Sequence, residues 1–159
     1  MGRELIVVWP GRPQRDEWEA LCERYRGRIG RWTAIRDLPV RAGPRRGPSR
    51  VRQESEGEAL LAALPEPCWT IGLDRRARAL DSKGLAARLR DLSEDWPHPV
   101  AFLIGSDLGL SRAALERCRE RLSLGPLTLP HELARLVLYE QLYRALSILA
   151  GIKYHREPL

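Results

Sequence analysis

The 159-residue sequence is short of the features that mark several broad protein classes. No apolar run approaches the ~20 residues that a membrane-spanning helix needs, so no association with a membrane is expected. The first residues, Met1-Gly2-Arg3-Glu4-Leu5, pass straight into a strand-like run without the layout of a secretory signal, which points to the cytoplasm. Cysteine is scarce: Cys22, Cys68 and Cys118 are odd in number and far apart, which excludes a disulfide framework and a CxxC metal knuckle. They read as small apolar residues of the interior. His131-Glu132 opens an HExxH pattern, but Arg135 stands where the second histidine belongs, and no metal site is expected. There is no GxGxxG, no P-loop and no GxSxG elbow, so the commonest nucleotide and hydrolase motifs are missing. Internal repeats and a separate linker are also missing, and residues 1–159 read as one domain.

Hydrophobic residues make up 43% and charged residues 30%, an ordinary balance for a globular chain. A chain of this length buries roughly 70% of the surface that its unfolded form exposes, enough for a real core. The net charge is +6, carried far more by arginine than by lysine. Such a charge favours phosphate-rich partners through counterion release. Arginine usage in a GC-rich genome would give the same balance, so charge alone does not decide for nucleic acid.

Leu5-Ile6-Val7-Val8-Trp9 is a buried strand by its β-branched run and its stop at Pro10-Gly11. Residues 16–26 repeat Trp18, Leu21, Cys22 and Tyr25 at helical spacing. A second strand is expected over 32–38. Residues 39–52 hold Pro39, Pro44 and Pro48 among Arg41, Arg45, Arg46, Arg50 and Arg52. That composition predicts a long basic loop, neither helix nor central strand, and a candidate contact for an RNA backbone. A helix over 54–64, a strand over 68–73, a helix capped by Asp81-Ser82 and running to about Leu92, and a fully apolar strand over 100–104 follow. Ser111 caps a short helix to about Arg119, and 122–124 form a last strand. The final helix has Pro130 in its first turn, an apolar face broad enough for burial on more than one side, and a stop at Gly151. Alternating strands and helices predict an α/β fold with a mostly parallel sheet.

In such sheets ligands bind at the carboxyl ends of the strands. Three loops qualify: Leu73-Asp74, Gly105-Ser106-Asp107-Leu108-Gly109, and Leu124-Gly125-Pro126-Leu127-Thr128-Leu129. The third mixes free backbone groups with apolar side chains, a lining better suited to an adenine ring and a thioether than to a triphosphate. Each loop taken singly is also compatible with a plain turn.

Phe102-Leu103-Ile104-Gly105, Gly109-Leu110-Ser111, Leu122-Ser123-Leu124 and the run from Leu127 through Pro130-His131-Glu132-Leu133-Ala134-Arg135 fall in a fixed order. Glu140-Gln141-Leu142-Tyr143-Arg144-Ala145 and the closing Tyr154-His155-Arg156 complete the series. This series resembles the SPOUT-superfamily 23S ribosomal RNA methyltransferases that modify N3 of a pseudouridine. The resemblance is strong from about Leu73 to Arg156 and extends more weakly to the earlier layout. It implies an α/β-knot with a carboxyl-terminal trefoil knot, an exception to the rule against knots. It further implies a homodimer and S-adenosylmethionine held by Leu73, Gly105, Leu124, Gly125, Pro126, Leu127, Thr128 and Leu129. The implied target is the helix 69 stem-loop on the assembled ribosome. Three positions depart from the family pattern: Ser106 and Asp107 replace a usual glycine and proline, and Lys153 replaces a usual proline. Ser106 fits if its φ is negative.

The resemblance makes His155 the candidate base or proton relay, since imidazole titrates near pH ~6.5. Arg156 becomes the group for the developing imide anion or a phosphate, and Tyr154 the one to stack on the base. His131, Arg135, Arg45 and Arg46 are candidate RNA contacts, and Arg144 is placed toward a neighbouring subunit. Two other readings stand beside this one: a SPOUT enzyme acting on transfer RNA, and a basic RNA-binding module without catalysis.

Overall fold

The computed structural model describes residues 3–41, 43 and 46–159. Among them, strands and helices alternate as β1 (Leu5–Pro10), α1 (Glu17–Ile29), β2 (Ile35–Val40), α2 (Ser49–Ala62), β3 (Trp69–Leu73), α3 (Ser82–Asp95), β4 (Val100–Leu103), α4 (Arg112–Arg117), β5 (Glu120–Leu122) and α5 (His131–Leu149). The strands form one sheet in the order β2-β1-β4-β3-β5, and every pair is parallel.

Alternate residues of a strand face opposite sides of the sheet. Leu5, Val7 and Trp9 of β1, with Val100 and Phe102 of β4, pack into a core with α1, α3 and α5. Ile6, Val8, Ala101 and Leu103 face the other way, against Leu60 of α2 and Leu110. Both faces of the central strands are therefore covered, which explains why they are apolar at every position. Asp16, Asp81 and Ser111 cap α1, α3 and α4 by accepting a backbone N–H.

Three expected boundaries move. Pro39 and Val40 belong to β2, where proline is tolerated because β2 is an edge strand. The helix expected from residue 54 begins at Ser49 instead, so Arg50 and Arg52 are helical. Pro48 precedes its first turn, where the missing N–H leaves nothing unpaired. The last strand is Glu120–Leu122 rather than 122–124. Ser123 ends it by hydrogen bonding to Arg75 O and Gly125 O at 3.2 and 3.0 Å.

Cys22 is buried, while Cys68 and Cys118 are half-buried. Burial pushes the Cys22 and Cys68 thiols up to about 11. Among the described residues, no helix is long and apolar enough to cross a membrane.

Candidate active site

A parallel sheet puts all its carboxyl strand ends on one edge. Register sets Gly72 beside Leu103 and Leu73 beside Leu122. Neighbouring strands lie about 4.8 Å apart. The loops that follow β4, β3 and β5 therefore emerge side by side. Leu73, Gly105 and residues 124–129, picked out one by one in the sequence, are gathered here by topology.

Each loop has its own local cause. Gly105 admits no side chain: a Cβ there would lie 2.4 Å from the Gly109 carbonyl carbon and 2.6 Å from Leu110 N. The chain turns back on itself at this point, with Gly109 N donating to Ser106 O at 2.9 Å and Gly109 at φ +73°. Ser106 has no positive φ, so serine occupies the position without backbone strain. Asp74 N donates to Leu122 O at 3.0 Å, tying the first loop to β5. Gly125 turns the third loop at φ +120° and is pinned by Ser123 Oγ at 3.0 Å. Beyond it Leu127 stands 75% exposed. Among the described residues, the amides of Leu127, Thr128 and Leu129 have no protein partner. An apolar side chain held in water beside free amides fits a flat heteroaromatic ring with polar edges. Leu73 and Leu124 pack partly against the main core, which fixes both ends of this lining.

Next to these loops, a cleft of about 690 Å³ opens over the ends of β1, β2 and β4. Its walls include Trp9, Trp18, Arg41, Arg52, Ser106 and His131. Trp18 is 38% exposed, and His131 stacks on Trp9 with ring centres 6.4 Å apart. The sequence reading missed Trp9, Trp18, Arg41 and Arg52 as a group, because a strand, two helices and the loop after β2 bring them together.

Arg135 takes a different place from the one expected. Its residue is only 4% exposed, and its guanidinium bonds Glu19 at 2.6 Å and Asp37 at 2.8–3.0 Å beneath the Trp9 ring. A buried cation already paired with two carboxylates supports the wall rather than reaching for RNA. Asp37 also accepts from Trp9 Nε1 at 3.0 Å and from the Tyr139 hydroxyl at 2.5 Å. Burial and the neighbouring Asp37 carboxylate push the Tyr139 phenol well above its ordinary value. The signal that was available is Asp37 itself, an acid facing inward from a strand whose exposed charge is the neighbouring Arg36. Arg46 is exposed, and Arg45 lies outside the described residues.

The carboxyl-terminal residues fold back along α5. Tyr154 OH donates to Glu140 Oε1 at 3.0 Å, and its ring meets Tyr143 edge-on at 4.6 Å. Arg144 donates to Glu140 at 2.6–3.0 Å and comes within 3.4 Å of His155 Nδ1. Burial and the hydrogen bond to Glu140 raise the Tyr154 phenol, so it stays a donor at neutral pH. Glu157 pairs with Lys83 at the start of α3. Arg156 is exposed. Tyr154 and His155 are thus brought together, but Arg144 lies about 20 Å further along α5 than His131.

Against this geometry, the family model described as "Predicted SPOUT methyltransferase" matches residues 3–155. The chain belongs to the SPOUT methyltransferase family. It is 40% identical over 153 residues to "Ribosomal RNA large subunit methyltransferase H" of Solidesulfovibrio magneticus, covering 96% of this chain and 99% of that protein. A protein of the same name from Anaeromyxobacter sp. is 40% identical over 152 residues, covering 96% and 99%. Among solved structures, a probable methylase family protein from Haemophilus influenzae aligns with a TM-score of 0.56 at 14% identity, over 99% of this chain and 72% of that one. A probable methyltransferase from Bordetella pertussis aligns at 0.52 and 20%, over 91% and 95%. These two likenesses bear on the fold alone and agree with the parallel α/β sheet described above.

Proposed function

We propose that this chain transfers a methyl group from S-adenosylmethionine to N3 of a pseudouridine in large-subunit ribosomal RNA, in the helix 69 stem-loop of the assembled ribosome. The observation that carries the reading is the convergence of Leu73, Gly105 and residues 124–129 at three adjacent strand ends. The full-length relatives named for large-subunit ribosomal RNA support the substrate.

The cofactor residues are Leu73, Gly105, Leu124, Gly125, Pro126, Leu127, Thr128 and Leu129. The apolar side chains of these residues would hold the adenine, and the unpartnered amides of 127–129 would offer donors to its polar edge. When bound, S-adenosylmethionine supplies an electrophilic methyl on a sulfonium, and no metal is required. The protein's remaining tasks are to align the acceptor and to remove the imide proton. The cleft beside Ser106 receives the base, with Trp18 and His131 as stacking surfaces. Arg41, Arg45 and Arg46 hold phosphates through charge-assisted hydrogen bonds.

His155 removes or relays the N3 proton, Tyr154 stacks on or donates to the base, and Arg156 steadies the developing anion. Within one chain this group sits along the middle of α5, away from its amino-terminal end, so a homodimer completes the site with the partner's tail. Leu133, Leu136 and Val137 stay half-exposed on α5, which supports such a pairing. The knot expected of the carboxyl-terminal part and the cytoplasmic location belong to the same reading.

The test incubates the protein and labelled S-adenosylmethionine with unmodified ribosomes, free large-subunit RNA and transfer RNA. Label confined to large-subunit RNA of intact ribosomes is the expected result. Label in transfer RNA would replace the substrate. No label together with no cofactor binding by calorimetry would leave a binding protein without catalysis.

A further inference from the structure

The loop after Gly105 is gripped from the opposite layer by one face of α2. Arg52, Gln53, Glu56 and Gly57 recur at helical spacing on that face. Gln53 Nε2 donates to Leu108 O at 2.8 Å and lies 3.3–3.4 Å from the Leu110 and Gly109 oxygens. Ser106 Oγ donates to Glu56 Oε2 at 2.6 Å. Arg52 donates to Asp107 at 3.0 Å and stands 3.8 Å from Glu56. Gly57 lets the helix come close, since a Cβ there would lie 2.8 Å from Ser111 Oγ.

Glu56 is only 4% exposed, and a carboxylate so placed is a poor way to gain stability. An apolar residue facing an apolar loop would hold the layers together at less desolvation. What the buried carboxylate does provide is a single acceptor that fixes the Ser106 hydroxyl. The loop itself has few means of holding its shape. Its internal ties are the Gly109–Ser106 backbone bond and a 3.4 Å contact from Leu108 N to Ser106 Oγ.

We propose that Gln53 and Glu56 are positioning residues for the cofactor, holding by side-chain tethers the shape of a loop that has few bonds of its own. Glu56 borders the cleft but is almost wholly buried, and both residues act through the loop backbone that packs against Gly105. The proposal rests on the reading of Gly105 as a cofactor contact.

The experiment measures S-adenosylmethionine affinity by calorimetry and Tm by thermal scanning on the full-length protein. Gln53→Ala and Ser106→Gly are each expected to weaken binding about tenfold, the effect of losing one well-placed hydrogen bond. Adding Asp107→Pro to Ser106→Gly is expected to restore affinity, which a purely structural role would not produce. If Gln53→Ala does not fold, Gln53→Glu decides, because it keeps the packing and removes the amide donor. Affinity within twofold of wild type in the Gln53 variant, whatever its Tm, would overturn the proposal. Gly125→Ala is the control for the cofactor loops. Wild-type binding that Gly125→Ala weakens and the Gln53 variant leaves unchanged refutes the positioning role alone. A wild-type protein that binds no cofactor refutes the parent reading as well.

Discussion

Both halves of α5 carry an arginine wired to carboxylates, and the two wirings differ in kind. Arg135 is joined to Glu19 of α1 and Asp37 of β2, residues remote in sequence, and its guanidinium is buried under Trp9. Arg144 is joined to Glu140 on its own helix one turn away, and both remain partly exposed. The first arrangement binds three elements into one piece, and removing a member strands a charge in the interior. The second is a local pair whose other contacts, Tyr154 and His155, belong to the tail. Stability is therefore expected to depend on the amino-terminal half of α5, and chemistry on the carboxyl-terminal half.

The sharpest way to break this contrast is Arg135→Met. The loss leaves Glu19 to Arg26 and Asp37 to Trp9 and Tyr139, and breaking this half-buried network is expected to cost about 3 kcal/mol, which lowers Tm by roughly 10 °C in a chain of this size. A fall of only a degree or two would mean that the cluster is wet and its members interchangeable. His155→Ala is the opposite case. Its methyl transfer is expected to fall about 100-fold with Tm unchanged, as for loss of a general base. Unimpaired transfer with wild-type Tm would remove the tail from the mechanism.

Tyr139→Phe sharpens the comparison within the buried cluster. It deletes only the hydroxyl that donates to Asp37, and a loss of about 1–2 kcal/mol by denaturant titration is expected. A neutral result would show that Trp9 and Arg135 already satisfy Asp37.

The smallest effect concerns acid. Burial works to raise the Glu19 carboxyl, but the hydrogen bonds from Arg26 and Arg135 prevail and hold it below its ordinary 4.5. A depressed carboxyl contributes stability that is complete above that value and is lost as pH falls through the lower folded one. Stability should thus decline below about pH 4.5, and Glu19→Gln should flatten the decline. An identical acid limb in the variant would assign the effect to other carboxylates.

Much of the fold was legible in residue pattern. Val100 to Ile104 reads as a strand covered on both faces because every position is apolar, and Val100–Leu103 is one. Gly105, Gly125 and Gly151 stand where the backbone needs close approach or positive φ. The helix start at Ser49 was hidden by the prolines and arginines before it, since charge and Pro48 suit a loop and a first turn equally well. Arg135 was misplaced for a related reason. Its helical phase is visible in sequence, but the two carboxylates that claim it come from elements around a hundred positions earlier.

The sequence by itself determined the alternation of strands and helices, the glycine-marked loops and the ordered motifs that tie the chain to its family. These are local properties, set by backbone stereochemistry and by the period of apolar residues. Only the tertiary structure decided that the loops after β3, β4 and β5 open side by side, that α2 grips Ser106, and that Arg135 is sealed under Trp9. Those outcomes depend on strand order and layer packing, in which residues far apart in the chain meet, and no local pattern encodes that distance.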